Sequence, residues 1–165
     1  SRYVLRAKVR LAVSTATEED LPLALRSSRE ESRCLQAIRA GIPEVSSPSS
    51  GEWIPQMLNL DRLGAIRFDK GCYTGQEIVA RTQHLGRIKR RMGRYRLTGA
   101  PPEILAPLLL GDQKVGEVVL AADDEAGGTE CLAVTSIDAL SRTLALGDGR
   151  ICEPLPLPYS IDPET

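Results

Sequence analysis

From Arg87 onward the sequence breaks into short apolar runs separated by glycine, proline and aspartate, and this punctuation restricts the fold more than any other feature. Arg87 to Leu97 reads as extended chain, followed by a Thr98-Gly99-Ala100-Pro101-Pro102 loop. Gln113 to Ala121 reads as a strand in which Gly116 marks a bend or bulge. Asp123 to Gly128 is a turn, and Glu130 to Thr135 is the next strand. Leu144-Ala145-Leu146 and Arg150-Ile151-Cys152 flank Gly147-Asp148-Gly149, the signature of a hairpin. Pro154, Pro156 and Pro158 hold the tail extended. Strands this short and this regularly spaced predict a small antiparallel barrel or a sandwich over residues 87–165.

The first part of the chain reads differently, which makes the whole α+β. Arg2 to Val13 alternates polar and apolar residues as a strand does, and Thr17 to Leu21 is a polar turn or short helical start. Ser28 to Ala40 fits a helix with Glu30 and Glu31 near its positive end and Arg39 near its negative end. Leu35 and Ile38 would form its buried side. Gly41 fits the position that terminates such a helix, and Pro43 prevents its continuation. Ser46 to Gly51 is a loop by composition, and Trp53 to Leu60, interrupted by Pro55, is an irregular approach with a helical turn. Ala65 to Phe68 is a short extended piece. Residues 1–86 thus form a first domain and 87–165 a second.

Between them lies Lys70-Gly71-Cys72-Tyr73-Thr74-Gly75-Gln76-Glu77. Thr74 and Glu77 have the T-x-x-E spacing of a capping box, and Tyr73 and Ile78 stand where a hydrophobic staple would form. A helix is expected from Thr74 to about Leu85, closed by Gly86. Cys72 would sit just outside its positive end, two residues from Lys70, and both influences favour thiolate over thiol. The competing local reading is a well-capped helix beside a cysteine that only packs.

Charge is distributed in blocks although the formal net charge is −1. Between Glu77 and Glu103 no acid occurs, while Arg81, Arg87, Lys89, Arg90, Arg91, Arg94 and Arg96 supply seven cations. From Leu97 onward twelve acids face only Lys114, Arg142 and Arg150. The band formed by Arg81, Arg87, Lys89, Arg90 and Arg91 can attract a carboxylate tail or an RNA backbone, or it can simply solvate a charged face. No aromatic platform interleaves with it, which weakens a single-strand reading. His84 suits a surface position near a helix end better than a base. Cys34, Cys72, Cys131 and Cys152 are widely spaced, with no C-x-x-C pair, arguing against a structural zinc site and a disulfide scaffold. No apolar run reaches membrane-span length and no signal peptide is visible. The expectation is a protein of a reducing compartment, cytoplasmic, or mitochondrial in a eukaryote, with no membrane partner and no bound metal. The abrupt, strand-like beginning suggests a fragment.

The segment Lys70–Glu77 resembles the K-G-C-[YF]-x-G-Q-E signature of the YgfZ-like folate-binding proteins, relatives of the glycine-cleavage T-protein, an aminomethyltransferase. Arg6 to Val9, Ala40 to Glu44, Ile54 to Asp61, Ile78 to Arg81, Val115-Gly116, Leu132 to Val134 and Leu157 to Tyr159 resemble further family segments in the family's order. The resemblance implies a truncated T-protein-like folate-binding portion followed by a C-terminal barrel. It implies tetrahydrofolate as the ligand, iron–sulfur client proteins as partners, and a role in iron–sulfur cluster assembly or repair and, through it, tRNA modification. Cys72 would be the reactive thiol. Lys70, Gly71, Tyr73, Gly75, Gln76 and Glu77 would border the folate, although Tyr73 and Glu77 also suit the staple and the capping box. The T-protein branch usually has Asp and Arg where this chain has Cys72 and Gln76, which disfavours a folate-dependent aminomethyltransferase without removing it as an alternative. An RNA-binding module built on the basic band is the other. Family members are longer, and the N-terminal half that helps to build their folate pocket has no counterpart here.

Overall fold

The computed structural model describes residues 23–66 and 88–161, and the account below concerns these. A single long helix, α1 (Leu23–Ala40), precedes a short 3₁₀ turn at Ser47–Ser49 and a run of turns through residues 55–64. Six strands follow: β1 (Arg90–Thr98), β2 (Pro107–Leu110), β3 (Gln113–Asp123), β4 (Gly128–Ser136), β5 (Leu144–Leu146) and β6 (Ile151–Leu155). They close into an antiparallel barrel in the order β1-β4-β3-β2-β5-β6. Closure removes the free edges that a six-strand sheet would otherwise expose. No described helix is long and apolar enough to cross a membrane.

Two apolar clusters divide the side chains of the strands. Tyr95, Leu97, Leu108, Val118, Cys131, Ala133, Leu144, Leu146 and Cys152 fill the barrel, joined by Ala139 from a 3₁₀ turn at Ile137–Ala139. Met92, Val119, Leu132 and Val134 point the other way and pack with Leu35 and Ile38 of α1 and with Trp53 and Leu58. Strand β4 is therefore covered on both faces, and this is why Cys131 to Thr135 reads as a continuous apolar run. Inside the barrel the Tyr95 hydroxyl donates to the Leu140 carbonyl at 3.1 Å and lies 3.2 Å from Thr135 Oγ1. Burial pushes the Tyr95 phenol up to about 12, so it stays a neutral donor in the core.

The helix begins at Leu23, five residues before the expected Ser28, because Leu23-Ala24-Leu25-Arg26 are strong helix formers that extend it backwards. Its end is as expected. Gly41 has φ +66°, its N–H reaches the Ile38 carbonyl at 3.0 Å, and the Ile42 N–H reaches the Ala37 carbonyl at 2.9 Å, a Schellman closure. The tail explains why glycine is needed there twice over. A Cβ on Gly41 would lie 2.7 Å from the ring of Tyr159, whose hydroxyl donates to the Gly41 carbonyl at 2.7 Å.

Gly116 sits beside a bulge, as expected: opposite β2 the register shifts between the Leu108↔Gly116 and Leu109↔Lys114 pairs, which leaves Val115 as the extra residue. Opposite β4 it stays in register with Thr135, and a second irregularity falls at Val119, between the Val118↔Ala133 and Leu120↔Leu132 pairs. Glycine is required at 116 by close approach, since a Cβ would meet the Val134 carbonyl oxygen at 2.5 Å. The four-residue β2 carries no period-two signal, and its Leu108–Leu110 run is assigned to a strand only by pairing with β3 and β5. Ala65 and Ile66 are not in a strand; Arg67 and Phe68, the strand expected over Arg2–Val13 and the helix expected from Thr74 lie outside the described residues. Gly116→Ala should lower stability by about 1–3 kcal/mol through overpacking against β4, measured by urea denaturation, with the midpoint and not the slope carrying the change.

Candidate functional site

The motif Lys70–Glu77, with Arg81 and Arg87, lies outside the described residues; the structure describes the residues that precede and follow it, up to 66 and from 88. On the entry side, residues 55–64 wind through consecutive turns, with Asn59 N–H bonded to the Gln56 carbonyl at 3.1 Å and Leu60 N–H to the Pro55 carbonyl at 3.1 Å. Asn59 takes φ 57°, a left-handed conformation that asparagine tolerates better than most residues. Its side-chain amide donates to the Met92 carbonyl at 2.8 Å and to the Tyr159 hydroxyl at 3.3 Å. Turn, barrel and tail meet at this one side chain.

On the exit side stands Arg91. Its guanidinium grips both oxygens of Asp61, at 2.6 and 2.9 Å, and donates to the Gln56 carbonyl at 2.8 Å. Arg91 is 1% exposed and the Asp61 side chain 8%. This paired-fork contact joins two points thirty residues apart in sequence. Asp61 and Arg91, which bracket the motif in sequence, thus lie side by side at the barrel wall.

A second junction lies one residue earlier in β1. Glu117 Oε1 accepts from the Trp53 indole at 3.1 Å and from Arg90 at 3.2 Å, while Lys114 approaches Oε2 at 2.9 Å. Burial by itself would raise the Glu117 pKa. The Lys114 ammonium, the Trp53 N–H and the Arg90 guanidinium outweigh it and hold the carboxyl below its ordinary value.

The cations of the sequence band therefore divide. Lys89 is exposed; Arg90 faces Glu117; Arg91 already holds an anion, Asp61. Arg94 binds Glu130, which also takes Arg39 of α1 at 3.1 Å, and Arg96 binds Asp124 at 2.8 Å. Arg90, Arg94 and Arg96 are thus matched to acids of the block that follows them, and Arg91 to Asp61, which precedes it. Asp124 is held below the usual carboxylate range, first by the Gly128 N–H, then by the Ala126 N–H and Arg96, which outweigh its burial.

Three of the four cysteines can be judged directly. Cys131 and Cys152 are fully buried in the barrel; burial raises the Cys131 pKa strongly and pushes Cys152 up to about 11. Cys34 is half-buried, with its thiol 3.8 Å from the Ala121 carbonyl, and burial followed by the nearby Glu44 raises its pKa. None of the three is set up as a thiolate nucleophile. Among the described residues no three His, Cys, Asp or Glu side chains converge as metal ligands.

Sequence reading did not single out Asp61, Asn59, Trp53, Glu117 or Tyr159 as parts of this frame. The one signal was that Ile54–Asp61 and Leu157–Tyr159 stood among the family-like segments. Comparison with known proteins adds to this. A curated relative, the tRNA-modifying protein YgfZ of Vibrio atlanticus (strain LGP32), is 35% identical over 162 residues, covering 92% of this chain and 48% of that protein. The chain is YgfZ-like. It spans about half the length of the relative it matches. No family model matches it. The barrel of the YgfZ-like chain agrees with the expected C-terminal architecture.

Removing one partner of the buried pair leaves the other as an uncompensated buried charge. Asp61→Ala should cost about 3–5 kcal/mol in chemical denaturation, more than Asp148→Ala, whose Arg150 pair is exposed at the surface. Glu117 sets an acid-sensitive contribution. Because its folded-state pKa is depressed, that stabilisation is complete above its ordinary value of 4.5 and is lost as pH falls through the lower folded value. Stability measured from neutral pH downward should fall less steeply below pH 4.5 in Glu117→Gln than in the parent.

Proposed function

We propose that this chain carries the thiol-bearing half of a tetrahydrofolate-binding accessory protein that supports iron–sulfur cluster assembly or repair and, through it, tRNA modification. The observation that carries the reading is the similarity, over 92% of the chain, to a protein named as tRNA-modifying, taken with the Lys70–Glu77 signature. Cys72 is the reactive group. Its support is the helix start that the sequence leads one to expect at Thr74, with Lys70 two residues before the thiol, and the raised pKa of each other cysteine in the chain. Lys70, Gly71, Tyr73, Gly75, Gln76 and Glu77 border the folate in this reading, within a T-protein-like portion that the rest of a longer chain would complete.

Tetrahydrofolate pairs a flat hydrogen-bonding ring with a carboxylate tail. The described residues suit the tail in one respect: Lys89, just before β1, is exposed, with no acidic partner among the described residues. Arg81 and Arg87 extend that cationic run in sequence. Arg90 and Arg91 act in this reading as its anchors, through Glu117 and Asp61. The clients are iron–sulfur proteins of a reducing compartment, cytoplasmic or mitochondrial.

Calorimetric titration of tetrahydrofolate into this chain and into a full-length protein containing it tests the proposal. Binding by the full-length protein is expected; its absence would sink the ligand assignment, whereas failure of this chain alone traces to the missing half of the pocket. Alkylation rate against pH should place the Cys72 pKa below that of free cysteine, about 8.5, and a value at or above it removes the activated thiol.

A further inference from the structure

Away from the Asp61–Arg91 junction, the barrel has an open cleft of about 620 Å³. Its walls come from the tip of the β2–β3 hairpin (Leu110, Gln113, Lys114, Val115), from Arg90 of β1, and from Ser136, Asp138, Ala139 and Arg142 around the 3₁₀ turn. The turn is fixed against β1, since the Ile137 N–H donates to the Lys89 carbonyl at 3.1 Å, and the Arg142 N–H closes onto the Ala139 carbonyl at 3.0 Å. The size is within the usual range for a ligand site, about 300–1,000 Å³.

The lining is rich in donors and poor in free acceptors. Glu117 on the cleft wall is already occupied by Trp53, Arg90 and Lys114. Arg90 and Lys114 each have N–H groups beyond those directed at Glu117, because a guanidinium offers five donors and an ammonium three. Arg142 is exposed and forms no ion pair among the described residues. Gln113 and Ser136 add neutral donors. Among the described lining residues the acids are the exposed Asp138 and Glu117, the latter already engaged. Two cations held in place by a shared carboxylate, a third cation in the same lining and two neutral donors suit a tetrahedral oxyanion with three or more acceptor oxygens better than a planar carboxylate with two. Among the described residues no aromatic ring lines the cleft, so these offer a nucleobase no stacking platform.

We propose that this cleft, held by Arg90, Lys114 and Arg142 with Gln113 and Ser136, is a phosphate-binding site separate from the folate-binding segment. A phosphate there is either a free phosphate ester or one phosphodiester of an RNA backbone. The site shares Arg90 with the anchors of the cationic run but involves neither Cys72 nor Lys70, Gly71, Tyr73, Gly75, Gln76 and Glu77, so its failure and the failure of the tetrahydrofolate reading are seen in different titrations.

The test is a set of NMR titrations of the whole chain in phosphate-free buffer, following the backbone amides of Gln113, Gly116 and Ser136. The probes are inorganic phosphate, adenosine monophosphate and a short RNA hairpin, with glutamate as the carboxylate control. Saturable shifts at these amides are expected with the phosphate probes and not with glutamate. Arg142→Gln and Lys114→Gln, both at exposed positions, should each weaken binding by about tenfold, the loss of one charge-assisted contact. Tighter binding of the hairpin than of the monophosphate, weakening with salt at a log–log slope of about −1 to −2, identifies the RNA source; equal affinity identifies a free phosphate ester. Shifts of the same size with glutamate, or none at these amides with any phosphate probe, overturn the proposal. So does unchanged affinity in both variants when their amide spectra show an intact fold.

Discussion

The Arg91–Asp61 pair is the contact on which the rest of the arrangement depends. Two charges taken out of water cost several kcal/mol each before any attraction is counted, and the cost is offset here by fork-to-fork geometry and a third bond to the Gln56 carbonyl. What the pair secures is position. It fixes the turn run at 55–64 to the start of β1, and Asn59 and Tyr159 lock the same place to the Met92 and Gly41 carbonyls. The end of α1, the irregular turns, the first strand and the C-terminal tail are held together at one buried junction.

The charge pattern has a related explanation. A basic block followed by an acidic block looks in sequence like a binding band joined to an acidic domain. In the barrel, β1 lies between β4 and β6 and brings Arg94 and Arg96 onto the acids of later elements, while Arg90 meets Glu117 of β3. Most of this complementarity is internal. Among the described residues Lys89, just before β1, and Arg142, after the 3₁₀ turn, are exposed cations outside these pairs.

Much of the architecture was legible from the chain. The hairpin around Gly147-Asp148-Gly149, the turn at Asp123–Gly128 and the C-terminus of α1 follow from local backbone preferences, which glycine and aspartate state strongly. Strand β2 was not legible, because four residues with a Leu-Leu-Leu core carry no periodicity that separates strand from loop or helix. Gly116 was legible as the mark of a bulge, which the β2–β3 pairing has beside it, whereas its close approach to the Val134 backbone of a neighbouring strand was not. The candidate site was legible as a motif and a thiol, whereas its frame was not. Asp61, Glu117 and Tyr159 are unremarkable in sequence and gain meaning only from partners far along the chain.

The sequence by itself determined a β-rich second part, a capped helix before it, the special cysteine-bearing segment and the YgfZ-like relationship, since all of these rest on local chemistry and residue order. Tertiary structure decided that the strands close into a barrel rather than a sandwich, that α1 covers the outer face of β4, and which cations are spent on internal acids. These are outcomes of contacts thirty to more than a hundred residues apart, such as Arg91 with Asp61 and Tyr159 with Gly41. Such contacts are set by packing and closure, and no short window of the chain contains both partners.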